Sequence, residues 1–341
     1  MTALAEGTEG SEGTEDAPRP QRSRFLAAAP PLLLVAGLAA LPLTGLGPNS
    51  IRLAFVTFVW ITASVAWNLL GGFGGQVSFG FAVFYGLGAY AAAVAINAAV
   101  NPLAAFLLAG GVAALASLAI GLPTFRLKGP YFAIATIGVS EAVRVVMTNL
   151  SPTGGASGYR IVEPGAFRQL HHFYTALALA VVAVAVSIAV RRSKLGLALV
   201  AVREDEDAAG DLGVNPFRTK LLAHALAAAL TGAAGGVHAR YAAYIHPQGE
   251  FAFGIGVGIL LMPIIGGLGT IWGPVIGGVV YGLIHDEVVA SFPQLHLLIY
   301  GSLLILIVLF EPAGILGLVN RVAALARRRL RAREPRRMEP R

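Results

Sequence analysis

The sequence contains no cysteine and few charged residues. The absence of cysteine among 341 residues excludes disulfide bonds and thiolate metal sites. Only 13% of the residues are Asp, Glu, Lys or Arg, whereas soluble domains have about 25%. Because 56% of the residues are apolar, the composition predicts an all-α, polytopic bundle of transmembrane helices.

The common catalytic and nucleotide-binding motifs are also missing. There is no G-x-x-x-x-G-K-[ST] P-loop, so this chain cannot hydrolyse ATP by that route. The H-E-x-x-H and G-x-S-x-G motifs are absent, and no dense cluster of His and Asp suits a metal. We therefore expect a protein that is not an enzyme and that binds no cofactor or metal itself.

The net charge of +7 comes from one end of the chain. Residues 321–341 contain nine arginines and two glutamates, which accounts for the entire excess of positive charge. A nucleic-acid partner therefore has little support, and a basic cytoplasmic tail (residues 316–341) beside membrane lipid is the simpler interpretation. At the opposite end, residues 1–24 are rich in Gly, Glu, Thr, Ser and Pro, and they are predicted to form a disordered, acidic cytoplasmic leader.

Residues 25–315 form the predicted transmembrane domain. Apolar segments of about 20 residues suit the hydrocarbon core of a bilayer. About ten spans with both termini in the cytoplasm place the Arg/Lys clusters on the inner side. On this topology residues 149–172 form the longest external loop, for which contact with a partner and a plain connection are equally open. The predicted spans are 26–46, 51–70, 77–98, 102–122, 130–148, 173–190, 219–243, 254–271, 274–291 and 295–311.

The most distinctive feature is a long charged segment, residues 191–218, between two apolar segments. Its apolar residues recur at helical spacing and its charged residues occupy much of the opposite face, which predicts an amphipathic helix over 199–212. Gly213 is placed to end this helix, and Asn215-Pro216 to begin the next. The acidic face favours docking of a partner over a connector that rests on anionic lipid. The apolar set is Leu195, Leu199, Val202, Ala209 and Leu212; the charged set is Arg203, Glu204, Asp205, Asp207 and Asp211.

Polar residues and glycine clusters inside the apolar segments are candidates for a translocation pathway. Two glycine-rich stretches, 71–74 and 266–269, each follow an apolar span, and glycine-broken helices can open backbone groups toward a pathway. Close helix packing through small residues is the favoured alternative. Glu141 and Arg144 can pair on one helix face, and a structural ion pair between packed helices is favoured over a substrate contact. The candidate pathway residues are Asn68, Gly71, Gly74, Gln76, Ser78, Glu141, Arg144, Gly266, Gly267 and Gly269.

Five stretches together resemble one known family. W-N-L-L-G-G-F-G-G-Q-V-S-F-G at 67–80, followed by G-L-G-A-Y at 86–90, resembles the signature N-L-L-x-G-x-x-G-Q-x-S-x-G of the branched-chain amino-acid ABC permeases of the LivM type. Three further stretches, 126–136, 153–158 and 266–274, are similar to that family in the same order. In the charged segment the resemblance is carried by Ser193, Gly196, Ala201, Arg203, Glu204, Asp205, Glu206, Ala208, Ala209, Leu212, Gly213 and Asn215.

The resemblance implies a permease subunit of an ATP-binding-cassette importer for branched-chain or other hydrophobic amino acids, in the bacterial plasma membrane. Family members work with a second, LivH-type permease, two ATPase subunits that bind ATP and Mg, and an extracytoplasmic substrate-binding protein. A urea or short-chain amide permease of the same family stays open, as does an ATP-independent secondary carrier from another class. The residues implied in coupling to the ATPases are Arg203, Glu204, Asp205, Glu206, Ala208, Ala209 and Gly213.

Overall fold

The computed structural model describes residues 35–45, 47–162, 167–292, 295–311, 313–319 and 321. The predicted leader, residues 1–24, lies outside these residues, as does nearly all of the predicted tail, residues 316–341. The chain divides into two compact units, Met1–Gly45 and Leu46–Arg341. The described part of the first unit is a short apolar helical segment, Val35–Thr44, which ends in a 3-10 turn.

The second unit is built from helices, and its described residues include one two-stranded β-ladder. The first long helix, Pro48–Asn68, continues as a π-helical turn, Leu69–Phe73. The strands are β1 (Tyr159–Arg160) and β2 (Tyr244–Ile245). The helices are α1 (Pro48–Asn68), α2 (Phe81–Asn97), α3 (Pro102–Thr124), α4 (Pro130–Asn149), α5 (Gln169–Arg192), α6 (Lys194–Glu204), α7 (Glu206–Asp211), α8 (Pro216–Ala242), α9 (Pro247–Glu250), α10 (Phe253–Gly266), α11 (Gly273–Ser291) and α12 (His296–Phe310).

Proline and a capping side chain fix the beginnings of several helices. The Asn101 side chain accepts a hydrogen bond from the Leu103 NH at 2.9 Å, and Pro102 occupies the first turn of α3. Asn215 accepts one from the Arg218 NH at 2.9 Å at the start of α8. Proline suits these positions because the first-turn NH groups have no partner within the helix. The helix start predicted at Asn215-Pro216 is therefore confirmed, and the predicted span 102–122 begins at its proline.

The described helices confirm an all-α, polytopic membrane protein. Six of them are long and apolar enough to cross a membrane: Pro48–Phe73, Pro102–Thr124, Pro130–Asn149, Gln169–Arg192, Pro216–Ala242 and Pro247–Gly266. Four shorter apolar helices, Val35–Thr44, Phe81–Asn97, Gly273–His285 and Leu297–Ile307, coincide with the remaining predicted spans. The number of ten crossings and the sides of the termini stay predictions.

The helices differ greatly in how far they are buried within the chain. In the apolar stretch of α1, 83% of the residues are buried, whereas only 22% are buried in that of α4. α1 is therefore central in the bundle and α4 peripheral. α8 packs against both α2 and α3. A Cβ atom at Gly88 would lie 2.1 Å from the Gly232 carbonyl oxygen, and one at Gly235 would lie 2.0 Å from the Tyr85 carbonyl oxygen. Glycine is therefore required where α2 and α8 cross.

The predicted external loop is held by a short β-ladder at one end of the bundle. β1 pairs antiparallel with β2, so that Tyr159 lies opposite Ile245. The Asn97 side chain, at the end of α2, donates to the Arg160 carbonyl and accepts from the Val162 NH, both at 2.8 Å. The described parts of residues 149–172 are thus attached to α2 and to the turn after α8.

Candidate functional site

The charged segment, residues 191–218, folds as two helices instead of the single helix predicted over 199–212. α6 ends at Glu204, and Asp205 adopts an extended conformation with φ −155° and ψ 115°. Its carboxylate accepts hydrogen bonds from the NH groups of Asp207 and Ala208, each at 3.0 Å, and thereby caps α7. The single-helix prediction was wrong because aspartate is a poor interior residue and a strong N-cap.

The end of α7 agrees with the sequence prediction. Gly213 has φ +87°, a left-handed conformation that favours glycine. Its NH donates to the Gly210 carbonyl at 2.9 Å, and the Val214 NH donates to the Ala209 carbonyl at 3.0 Å. These bonds satisfy carbonyl groups that the end of a helix would leave without partners. Gly213 is therefore the helix stop that its position predicted.

The apolar face of the charged segment is buried over most of its length. Leu199, Val202 and Ala209 are almost fully buried, as their spacing predicted. Leu212 is 85% exposed, because it lies beyond the last residue of α7, so its predicted place on the apolar face was wrong. The predicted coupling residues that are exposed around it are Arg203, Glu204, Asp205, Ala208 and Gly213.

Arg203 joins this segment to the first glycine stretch. Its Nη1 donates a hydrogen bond to the Gly72 carbonyl oxygen at 2.7 Å. A Cβ atom at Gly75 would lie 2.8 Å from Cγ of Arg203, and Gly75 has φ +70°. Both its conformation and the close approach of the arginine therefore require glycine at position 75.

A broken helix, the less favoured alternative in the sequence analysis, is present at the first glycine stretch. After the π-helical turn the chain runs without helix from Gly74 to Gly80 before α2 begins. The Ser78 carbonyl accepts a hydrogen bond from Trp67 Nε1 at 2.8 Å, and its hydroxyl accepts one from the Gly80 NH at 3.3 Å. Ser78 is buried, whereas Gln76 is partly exposed. A π turn that leads into an irregular segment is frequently found at functional sites.

Asn68 brings the two glycine stretches together. Its Oδ1 accepts from the Gly269 NH at 2.9 Å, and its Nδ2 donates to the Thr270 carbonyl at 2.9 Å. A Cβ atom at Gly72 would lie 1.9 Å from that Oδ1 and 2.9 Å from the Gly269 nitrogen, so position 72 admits only glycine without movement. We call residues 68–75 and 266–270 together the glycine junction.

The other glycines of the junction serve close packing and a chain reversal. A Cβ atom at Gly266 would lie 1.7 Å from the Gly273 carbonyl oxygen, so α10 and α11 cross without room for a side chain. Gly267 has φ +133°, where only glycine is relaxed. A Cβ atom at Gly71 would overlap the Trp67 ring, and one at Gly74 would lie 3.1 Å from Leu199 of α6. Both interpretations of the glycines, packing and broken backbone, apply at different positions.

Two ion pairs attach α7 to its neighbours. Lys220 Nζ lies 2.6 Å from Glu206 Oε2, and the Lys220 side chain is 1% exposed near the start of α8. Lys128, in the turn before α4, lies 3.0 Å from Asp207, whose hydrogen bond raises the pKa of that lysine. Lys220 was not among the residues predicted from the sequence, although a lysine inside an apolar span needs a nearby acid.

Glu141 and Arg144 pair as their spacing predicted, but not between packed helices of this chain. Nε of Arg144 donates to Oε2 of Glu141 at 2.9 Å, and a second contact joins Nη2 to Oε1. The Glu141 side chain is 58% exposed and that of Arg144 30% exposed. The pair therefore lies on the outer face of α4. The residues of the glycine junction belong to other parts of the sequence and to other helices.

Comparison with known proteins decides the family. The family model described as branched-chain amino acid transport system / permease component matches residues 49–308. The chain belongs to this family. High-affinity branched-chain amino acid transport system permease protein LivM of Salmonella typhimurium is 29% identical over 303 residues, which cover 80% of this chain and 71% of that protein. LivM of Escherichia coli is 28% identical with the same coverage. No solved structure matched the chain.

The matched region includes all the contacts described above. It begins one residue after α1 does and ends within α12, so it contains the charged segment and both halves of the glycine junction. The relatives are transport permeases, and the described helices make this chain an integral membrane protein. Among the described residues no group of three or more His, Cys, Asp or Glu is arranged to hold a metal ion.

Proposed function

We propose that this chain is a membrane-spanning permease subunit of an ATP-binding-cassette importer for branched-chain or other hydrophobic amino acids. The observation that carries the proposal is the hydrogen bond from Arg203 to the Gly72 carbonyl. Through this bond an exposed, charged segment is attached to the broken end of α1, whose apolar stretch is the most buried among the six long helices. Such a contact suits a protein in which an external subunit drives movement inside the membrane.

The partners in this proposal are those of the family. Two ATPase subunits bind ATP and Mg and dock on residues 191–218, a second LivH-type permease completes the pathway, and an extracytoplasmic binding protein delivers the substrate. The membrane is the bacterial plasma membrane, crossed about ten times with both termini in the cytoplasm. In that orientation the charged segment and the glycine junction lie at the inner side, and the β-ladder lies at the outer side.

The exposed surface of the charged segment supports protein docking over lipid contact. Around α7 it presents acidic side chains, and two large apolar residues, Leu197 and Leu212, are 72% and 85% exposed. Anionic headgroups repel carboxylates, so a helix that rests on the lipid surface normally presents Lys and Arg there. An apolar side chain that projects from a short helix can insert into a groove of a partner.

The three attachments of the charged segment give a route for coupling. Arg203 of α6 reaches the glycine junction, Asp207 of α7 holds Lys128 just before α4, and Glu206 of α7 holds Lys220 in α8. A displacement of α6 and α7 by the ATPases then acts on α1, α4 and α8 together. Rigid helices with discrete contacts transmit such displacements over long distances.

Co-purification and transport together test the proposal. The chain is expressed with its partner ATPases and second permease, captured by a tag, and reconstituted with the binding protein for ATP-dependent uptake of [3H]leucine. We expect Leu212→Glu to abolish capture of the ATPases. Val162→Glu is the matched control, because Val162 is 68% exposed beside the β-ladder at the opposite end.

Three outcomes would contradict the proposal. If the wild-type chain captured no ATPase, or transported leucine without ATP, a secondary carrier would be the better explanation. If it transported urea or short-chain amides but not leucine, the coupling mechanism would stand and the substrate class would be wrong. If Leu212→Glu and Val162→Glu captured the ATPases equally well, the docking surface would have to lie elsewhere.

A further inference from the structure

The outer face of α4 has an unusual composition for a membrane-spanning helix. One face of α4 packs against the rest of the chain through Phe132, Thr136, Ser140 and Met147. The opposite face is exposed and largely apolar, and it carries a single pair of opposite charges. Its residues recur at helical spacing and are Tyr131, Ile134, Gly138, Glu141, Ala142 and Val145.

The charged pair lies far from both ends of the helix. Glu141 is eleven residues from Pro130 and eight from Asn149, which corresponds to roughly 16 Å and 12 Å along the axis. A carboxylate at that depth cannot face hydrocarbon without a large cost, even when an arginine one turn away neutralises it. This face of α4 therefore borders a polar space or another protein chain, not lipid.

An open apolar surface adjoins the charged pair on the same face. Gly138 lies one turn before Glu141, and no heavy atom of the described residues comes within 4 Å of a Cβ atom built there. Ile134, one further turn away, is 64% exposed and supplies an apolar edge. The face thus offers a carboxylate, a guanidinium and an open apolar surface within two helical turns.

Both moving parts of the proposed coupling route hold α4. The Thr136 hydroxyl accepts a hydrogen bond from the Phe79 NH in the broken segment at 3.1 Å, and Gly80 packs against the Thr136 carbonyl. Lys128, two residues before Pro130, is paired with Asp207 of α7. A displacement of the charged segment, or of the broken segment that follows residues 68–75 of the glycine junction, therefore reaches the helix that carries the charged pair.

We propose that Glu141 and Arg144 form a recognition subsite for a zwitterionic α-amino acid, an inference that rests on the proposed transport function. Glu141 accepts hydrogen bonds from the α-ammonium group, and Arg144 donates to the α-carboxylate. The aliphatic side chain of the substrate lies over Gly138 against Ile134. Without substrate the two residues neutralise each other, and the incoming zwitterion replaces one ion pair with two, so that no charge is left without a partner.

Neutral variants and a charge exchange test this subsite in the full importer complex. Glu141→Gln and Arg144→Gln are each expected to lower [3H]leucine uptake by about ten- to a hundredfold. Capture of the partner subunits and basal ATP hydrolysis should remain at the wild-type level. In the double variant Glu141→Arg with Arg144→Glu the ion pair is retained, but the positions of the positive and negative charges beside Gly138 are exchanged. The complex should therefore stay intact while uptake remains low.

Substrate specificity tests the part of the subsite at Gly138. Gly138→Val places a branched side chain on the open surface beside the charged pair, so we expect uptake of leucine to fall relative to uptake of alanine. Gly111→Val on α3 is the matched control, because a Cβ atom there also meets nothing within 4 Å. An unchanged ratio of leucine to alanine uptake in Gly138→Val would show that the surface at Gly138 does not contact the substrate side chain.

The remaining outcomes overturn the proposal in identifiable ways. Wild-type uptake in both neutral variants would show that the pair contacts no substrate. Restored uptake in the charge-exchanged variant would show a purely structural pair, and loss of the second permease from all three variants would assign the face to contact between permeases. Failure of the proposed transport function is distinct, because the wild-type complex itself would then take up no leucine.

Discussion

Removing the guanidinium group of Arg203 is the most direct test of the coupling route. In Arg203→Met the aliphatic part of the side chain is largely retained, whereas the hydrogen bond to the Gly72 carbonyl is lost. The packing of Cγ against Gly75 is kept, so the folded chain should change little. The expected effect is on the transfer of movement from the charged segment to the glycine junction.

The size of the effect follows from the nature and exposure of this bond. A hydrogen bond from a charged donor contributes about 1.5–3 kcal/mol. Arg203 is exposed overall, so solvent reduces that contribution to about 1 kcal/mol. A difference of about 1 kcal/mol corresponds to roughly a fivefold change in an equilibrium. We therefore expect the number of leucine molecules transported per ATP hydrolysed to fall about fivefold.

The assay compares uptake and ATP hydrolysis in the same proteoliposomes. ATP hydrolysis stimulated by the loaded binding protein should continue in Arg203→Met while leucine uptake falls. Arg218→Met is the matched control, because among the described residues the Arg218 side chain makes no hydrogen bond, although its backbone NH bonds Asn215. An unchanged ratio of leucine uptake to ATP hydrolysis in Arg203→Met would refute a role of this hydrogen bond in coupling. An equal fall of that ratio in Arg218→Met would refute it as well.

Three further changes test the glycine junction, the ion pair of α7 with α8, and the residues after 321. Gly72→Ala should abolish uptake and lower thermal stability of the complex, because its Cβ would clash with Asn68, whereas Gly111→Ala in open space should leave both unchanged. Glu206→Lys places a second cation beside buried Lys220 and should uncouple hydrolysis from uptake; adding Lys220→Glu to the same chain restores a pair of opposite charges and should restore coupling. Removal of the residues after 321 should leave uptake intact, measured as initial rate, and a complete loss would assign that segment a transport role.

Local structure in this chain followed from local sequence. Asn215-Pro216 predicted a helix start and Gly213 a helix stop, because capping and left-handed backbone depend on a few neighbouring residues. The same kind of signal was misread at Asp205, where a helical period continues across an N-cap. Asp205 fits the polar face of one continuous helix and also the N-cap of a second helix. The sequence leaves these two possibilities open until the packing of Ala209 is known.

The glycine junction could be predicted only in part. Asn68 and both glycine stretches were named as candidates from the sequence, and the Asn68 side chain joins the two stretches. Its partners, Gly269 and Thr270, lie some two hundred residues away, and no local pattern specifies which of several glycine stretches meets it. The link from Arg203 to Gly72 is equally non-local, since it depends on how α6 packs beneath α1.

The attachments at the two ends of α8 determine how that helix can move. At one end Lys220 is held by Glu206, and just beyond the other the Ala243 carbonyl accepts a hydrogen bond from the Ile161 NH at 2.9 Å. α8 also packs closely against α2 and α3, so we expect a force at its Lys220 end to tilt the helix slightly about its far attachment. Because α8 is 27 residues long, a rotation of about 5° moves its Lys220 end by roughly 3 Å. A small angular stroke is thus amplified into a displacement comparable to the width of an amino-acid backbone.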